Sequence, residues 1–200
     1  MKILISPAKK MRTDTDTLSP QALPAFLPET GRLLSALRSL SRQELKQLWR
    51  CSDAITDLNV ERLARMELGK GLTPALLSYQ GIQYQYMAPG VFETGQLTYL
   101  QEHLRILSGF YGMLRPFDGV TPYRLEMQAK LKIGLHKDLY SWWGDKIYRE
   151  LSEGRPAVIL NRASKEYSRA VEPYLASGDR FVTCVFGTLS EGKVKVKATE

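Results

Sequence analysis

Apolar residues along this chain fall into short runs and helical stripes, separated by polar stretches bearing Pro and Gly. Lys2-Ile3-Leu4-Ile5 reads as a short buried strand closed by Ser6-Pro7. Residues 8–28 are rich in Thr, Asp, Ser and Pro, which predicts a long surface loop. Leu33, Leu34, Leu37 and Leu40 recur at helical spacing. Ser41 and Glu44 then form a capping-box pair opening a second helix with Leu45, Leu48 and Trp49. Asn59 is expected to cap a short helix holding Val60, Leu63 and Met66. Thr73-Pro74 predicts another helix start, running through Leu76 and Leu77 to the region of Gly81.

Residues 82–93 read as an aromatic loop with Tyr84, Tyr86 and Phe92. Thr94 then caps a helix whose apolar stripe is Leu97, Leu100, Leu104 and Leu107. Asp138 opens an aromatic helix with Trp142, Trp143, Ile147 and Leu151, and Gly154-Arg155-Pro156 turns it into a buried strand over 157–160. Ser164 leads into a short helix through Tyr167. Two strand-like runs, 181–186 and 193–198, are joined by the hairpin signal Ser190-Glu191-Gly192. In the second run Lys193, Lys195 and Lys197 share one face, a solvated edge or a cationic binding face. Helices and strands are mixed without a regular βαβ alternation, which predicts one α+β or mixed α/β domain over residues 1–200.

Composition bounds the partners. The 200 residues are 44% hydrophobic and 24% charged, ordinary for a globular protein. Cys51 and Cys184 are too few and too far apart for a disulfide framework or a zinc site. The N-terminal apolar run is too short for a signal peptide, and no stretch approaches the roughly 20 residues that span a bilayer. A cytoplasmic protein without membrane contact is expected. The net charge of +7 favours a polyanionic partner.

No Walker A sequence, GxGxxG or nucleophile elbow occurs. His103 and His136 have no neighbouring ligand cluster, so no metal or other cofactor is expected. Polar residues instead gather where elements end. Ser6, Lys9 and Lys10 follow the first strand; Asn161 and Ser164 follow another. If these strands are neighbours, their loops face one another across a cleft suited to a phosphate or a nucleobase edge. Otherwise Ser6 and Ser164 merely cap local structure.

Leu107-Ser108-Gly109-Phe110-Tyr111-Gly112, with Arg105 and Arg115 on either side, matches a helix-hairpin-helix turn in its apolar lead and both glycines. Backbone N–H groups and Tyr111 in such a turn would meet a phosphate backbone. The glycine spacing is one residue longer than usual, and Pro116 limits a second helix. The alternative is a packed turn with Gly109 as a helix C-cap. Tyr123 is placed to stack on a base, and Arg124 pairs with phosphate or with Glu126. Trp142-Trp143-Gly144-Asp145 reads as core packing, with Trp143 and Asp145 lining the same cleft as the alternative.

These residues resemble the YaaA family of bacterial peroxide-stress proteins. The likeness lies in Ile3-Leu4-Ile5-Ser6-Pro7-Ala8-Lys9, residues 103–118 and 122–127, Asp138-Leu139-Tyr140 with Trp143-Gly144-Asp145, and Asn161-Arg162-Ala163-Ser164 with Glu166-Tyr167. The resemblance implies a mixed "cantaloupe" fold containing a helix-hairpin-helix element. It implies a cytosolic protein that binds duplex and distorted DNA and limits free intracellular iron and hydroxyl-radical damage. Relatives associated with nucleobase-modifying pathways imply an alternative, an enzyme acting on a nucleotide or nucleobase with Lys9, Glu126, Asn161 and Ser164 in its site. Two departures stand out. In Tyr79-Gln80-Gly81-Ile82-Gln83-Tyr84 the second glycine of the family pattern is displaced to Gly90, and family members run on beyond Glu200 into a basic helix, so the resemblance implies a tail that this sequence does not include.

Overall fold

Four parallel strands and one antiparallel strand form the central sheet. The computed structural model describes residues 1–154, 156–185, 187–190 and 193–196. In chain order, β1 (Lys2–Ile5) and β2 (Lys10–Met11) precede the helices α1 (Leu27–Arg38), α2 (Arg42–Trp49) and α3 (Asp53–Arg65). Then come β3 (Thr73–Pro74), α4 (Ala75–Ser78), β4 (Tyr79–Gln80), α5 (Ile82–Met87) and α6 (Thr94–His103). The strands β5 (Leu104–Ser108), β6 (Gly112–Leu114) and β7 (Gly119–Val120) lead to α7 (Leu139–Trp143), α8 (Lys146–Ser152), β8 (Val158–Asn161) and α9 (Lys165–Ser168). Last are β9 (Arg180–Thr183), β10 (Gly187–Ser190) and β11 (Lys193–Val196). This is the mixed α/β class expected from the sequence.

β1 sits between β5 and β8, with Ile3 opposite Leu104 on one side and Leu160 on the other. Such a central strand is covered on both faces, so it carries a continuous apolar run. One hydrophobic cluster joins sheet and helices, with Leu4, Ile106, Leu107, Trp143 and Ile159 fully enclosed.

The helical stripe expected over residues 97–107 is a coincidence of spacing. α6 ends at His103, and Leu104 and Leu107 belong to β5, which is buried along its whole length. The segment that follows is a β-hairpin between β5 and β6, with Ser108 paired to Gly112, and not a turn between two helices. A run buried on both faces has no polar alternation, so period alone cannot tell strand from helix.

Other boundaries moved for local reasons. Asn59 lies inside α3 and donates to Ile55 O at 2.8 Å instead of capping. Thr73-Pro74 pairs with β7, Thr73 Oγ1 accepts from Asp14 N, and α4 is a single turn ending at Ser78. The expected loop over 82–93 contains α5, and Glu93, not Thr94, caps α6. The aromatic helix breaks at Gly144, whose φ is +51°, into α7 and α8. Residues 8–28 are largely irregular but tied down by β2 and by Arg12 and Ser78, whose backbone and side chain exchange hydrogen bonds. β9 joins the main sheet parallel to β8, and the C-terminal hairpin is β10–β11. Arg155, Phe186, the turn residues Glu191 and Gly192, and Lys197 lie outside the described residues.

Candidate functional site

The chain leaves β1 between β5 and β8, the strand arrangement that opens a crevice at the carboxyl ends of parallel strands. Ser6 and Ser164 meet there. The Ser164 N–H donates to Ser6 Oγ at 2.9 Å, and the two hydroxyl oxygens are 3.3 Å apart. The loops after β1 and β8, expected to face one another, therefore meet directly in one hydrogen-bonded junction. Asn161 stitches it together from inside: its Oδ1 accepts from Ala163 N at 3.0 Å, and its Nδ2 donates to Thr183 Oγ1 at 3.3 Å. At 1% exposure it is a structural clamp with both ends of its amide engaged.

Lys9 Nζ lies 3.2 Å from Glu126 Oε1, and Arg124 Nη2 approaches the same oxygen at 3.8 Å. Arg124 thus pairs internally, yet its Nε is buried without a partner. A buried orphan donor costs about 1–3 kcal/mol, more on a charged group. Glu166 stands beside this group and accepts from Gln128 N at 3.2 Å. Burial raises its carboxyl above the ordinary range, with nearby Glu126 adding to the rise and the Gln128 N–H opposing it.

A cleft of about 820 Å³ opens from this group toward the end of α2. Its cations are Lys9, Arg50, Lys130 and Lys132; its carboxylates are Glu44 and Glu126. Among the described residues Arg50, Lys130 and Lys132 have no ion-pair partner. Arg50 is the left-handed C-cap of α2, with φ +46°. Trp49 is buried on the wall of the cleft, and its indole Nε1 has no partner. From Met127 to Ile133 buried and exposed residues alternate, which puts Gln128, Lys130 and Lys132 on the outer side. That period was the available signal for the two lysines; nothing local marks Arg50.

Lys10 does not share the Lys9 cleft. It lines a second cleft of about 500 Å³ with Arg12, Tyr84 and residues of the 88–91 turn. The two lysines that follow β1 therefore line different clefts.

The glycine hairpin does not reach either cleft. Ser108 is fully buried and Tyr111 is 1% exposed. Ser108 Oγ accepts from Tyr111 N at 2.9 Å and from Phe110 N at 3.2 Å, and it meets Tyr123 OH at 2.6 Å. Tyr123 OH continues to Tyr79 OH at 2.8 Å. Burial pushes the Tyr123 and Tyr79 phenols far up, so both stay neutral. Tyr123 is thus an interior residue, not a stacking surface. Phe110 O accepts from Thr30, and Gly109 O accepts from Trp143 Nε1 at 3.0 Å. The hairpin's backbone groups point into the protein because helices α1 and α7 clamp it.

Arg105 and Arg115 stand apart from the cleft as well. Arg105 is 4% exposed and donates to Gln101 O and Leu104 O. Burial, with Arg115 nearby, lowers its pKa. Arg115 Nη2 is 3.7 Å from Glu150. Buried Asp118, in the same group, accepts from Arg115 N at 2.8 Å, and burial raises its pKa from 3.8 to about 6.

Among the described residues, no three His, Cys, Asp or Glu side chains converge as metal ligands. No helix among them is long and apolar enough to cross a membrane.

Sequence comparison adds a family. The family described as "Peroxide stress protein YaaA" matches residues 1–200. A UPF0246 protein of Pediococcus pentosaceus is 54% identical over 199 residues, covering 100% of this chain and 79% of the relative. A UPF0246 protein of Agathobacter rectalis is 52% identical over 200 residues, covering 100% and 80%. One from Lachnoclostridium phytofermentans is 54% identical over 199 residues, covering 100% and 78%.

Proposed function

We propose that this chain, which belongs to the peroxide stress protein YaaA family, binds DNA through the basic cleft beside Lys9, and in that role helps to limit free intracellular iron and hydroxyl-radical damage. One observation carries the DNA part: three unpaired cations, Arg50, Lys130 and Lys132, rim a polar cleft beside the carboxyl ends of the parallel strands. Long cationic side chains around an open groove suit a phosphate backbone, with little demand on base sequence. The Lys9–Glu126 pair stands on the lining of the same cleft. The buried glycine hairpin is no part of this surface.

The measurement is salt-titrated binding of a short duplex by fluorescence anisotropy. Neutralising three phosphates gives a fall of roughly fortyfold between about 50 and 200 mM salt. Replacing both lysines, Lys130→Glu with Lys132→Glu, lowers affinity and flattens the salt slope by about 2. Affinity that ignores salt, or a double variant that binds as the parent does, rules the cleft out.

A second reading has its own observation. Glu126 and Glu166 share one electrostatic neighbourhood, and burial raises the proton affinity of Glu166. Such a pair beside Lys9 and Arg124 suits acid–base chemistry on a nucleotide or nucleobase.

A further inference from the structure

Arg124 is enclosed, and its donors are unspent. Its side chain is 13% exposed. The other enclosed arginines among the described residues are satisfied by backbone: Arg105 donates to Gln101 O and Leu104 O, and Arg62 donates to Met11 O. Arg124 makes no hydrogen bond with the described residues. A guanidinium is a planar fork of N–H donors with no acceptor. Of its three nitrogens only Nε is closed off; Nη1 and Nη2 stay open. The Glu126 Oε1 atom, 3.8 Å from Nη2, is beyond hydrogen-bond reach.

That oxygen is a point on which two cations converge. Lys9 Nζ lies 3.2 Å from it. Glu126 therefore holds the place that the oxygen of an incoming anion would take. It is held loosely, since Gln128 Nε2 reaches its other oxygen only at 3.5 Å. From Thr121 to Lys132 burial alternates, and the less buried positions grow more exposed from Arg124 and Glu126 to Gln128, Lys130 and Lys132. Arg124 thus stands at the enclosed end of a row whose open end carries the surface lysines of the cleft.

We infer that Arg124 and Lys9 form a site for the terminal phosphate of a nucleotide, the phosphate displacing the Glu126 carboxylate from between them. The inference rests on the second reading above and gives it a substrate class, a phosphate monoester. The open end of a guanidinium fork binds two oxygens of a carboxylate or phosphate in parallel. A carboxylate has no oxygen left for Lys9; a phosphate monoester has a third, and a second charge with which to outcompete Glu126. Enclosure selects a monoester over the DNA backbone. A backbone phosphate is flanked by a sugar on each side, whereas a terminal phosphate offers a bare tip to a guanidinium only 13% exposed. Duplex phosphates are left to Arg50, Lys130 and Lys132 on the cleft.

The test is calorimetric titration of wild type, Arg124→Lys, Arg124→Gln and Glu126→Gln. The probes are inorganic phosphate, acetate, and the common ribonucleoside 5′-monophosphates beside their nucleosides. Wild type should bind a monophosphate about ten- to hundredfold more tightly than its nucleoside, the worth of a charge-assisted pair. Both Arg124 variants should lose that advantage and keep nucleoside binding. Arg124→Lys retains the charge, so its loss assigns the effect to the fork. Duplex affinity in Arg124→Lys stays at the wild-type level. Glu126→Gln removes the competing carboxylate and should tighten inorganic phosphate roughly two- to fivefold. A wild type that binds monophosphate no better than nucleoside overturns the phosphate site alone, as does acetate binding as tightly as phosphate. So does an equal loss of nucleoside, monophosphate and duplex in the Arg124 variants. Should neither Arg124 variant fold, phosphate affinity unchanged in Glu126→Gln overturns it. Wild type that binds neither nucleotide nor nucleoside overturns the site and the second reading together.

Discussion

Replacing Gly109 with alanine separates a buried glycine from one that touches a ligand. A Cβ at Gly109 would stand 2.6 Å from Leu125 O, 2.9 Å from Glu126 C and 3.0 Å from Met127 N. All three are backbone atoms, and ordinary contact begins at 3.4 Å. No rotamer change relieves the clash; the 125–127 segment itself must retreat. Overpacking of that kind costs about 1–3 kcal/mol. For a chain of this length each kcal/mol lowers Tm by roughly 2–4 °C, so Gly109→Ala should melt about 2–12 °C below wild type. Thermal unfolding followed by circular dichroism reads this directly. Duplex affinity, measured well below both transitions, should change by less than about tenfold, because no hairpin atom faces the cleft and only the displaced Glu126 wall reaches it. An unchanged Tm with affinity lost by about tenfold, or 1.4 kcal/mol, would refute the argument and restore the hairpin as a DNA contact.

Two further perturbations test the electrostatics. Asp118 ionises in the folded protein only near pH 6, against an ordinary 3.8. A folded pKa raised in this way gives stability that is complete below about pH 4 and is lost as pH climbs through 6; the full effect is about 3 kcal/mol. Asp118→Asn removes that slope, so in chemical denaturation its stability relative to wild type should rise from pH 4 to pH 7. Any constant cost of the buried amide cancels in this comparison, and parallel pH profiles would show that the Asp118 carboxyl does not titrate there. Glu126→Gln distinguishes the two functional readings. It frees Lys9 and tightens duplex binding if the cleft is a DNA groove, measured by the same anisotropy titration; if the cleft is an active site on a nucleotide, it abolishes turnover.

The chain announces its central strand and several helix starts but not where its cations meet. Lys2–Ile5 is legible because the apolar run Ile3-Leu4-Ile5 ends at Ser6-Pro7, and Ser41–Glu44 is legible because a capping box is a local code. The Ser6–Ser164 meeting needed one added premise, that β1 and β8 are neighbours, and the register supplies it. Arg50, Lys130 and Lys132 come together only because α2 packs beside the segment after Glu126, a contact between parts of the chain about 80 residues apart that no local period encodes. The glycine segment shows the opposite failure. Its two glycines and flanking arginines are real features of the sequence, but they answer to packing. Gly112 sits at φ +73° with the Trp143 ring 2.9 Å from where a Cβ would be, and Gly109 lets the Glu126 segment pass over the hairpin. Gly109, which reads as part of a ligand-facing turn, is what gives the Glu126 segment room beside the hairpin. The motif therefore shapes the cleft from behind, and a substitution there would alter binding only by moving the wall that carries Glu126.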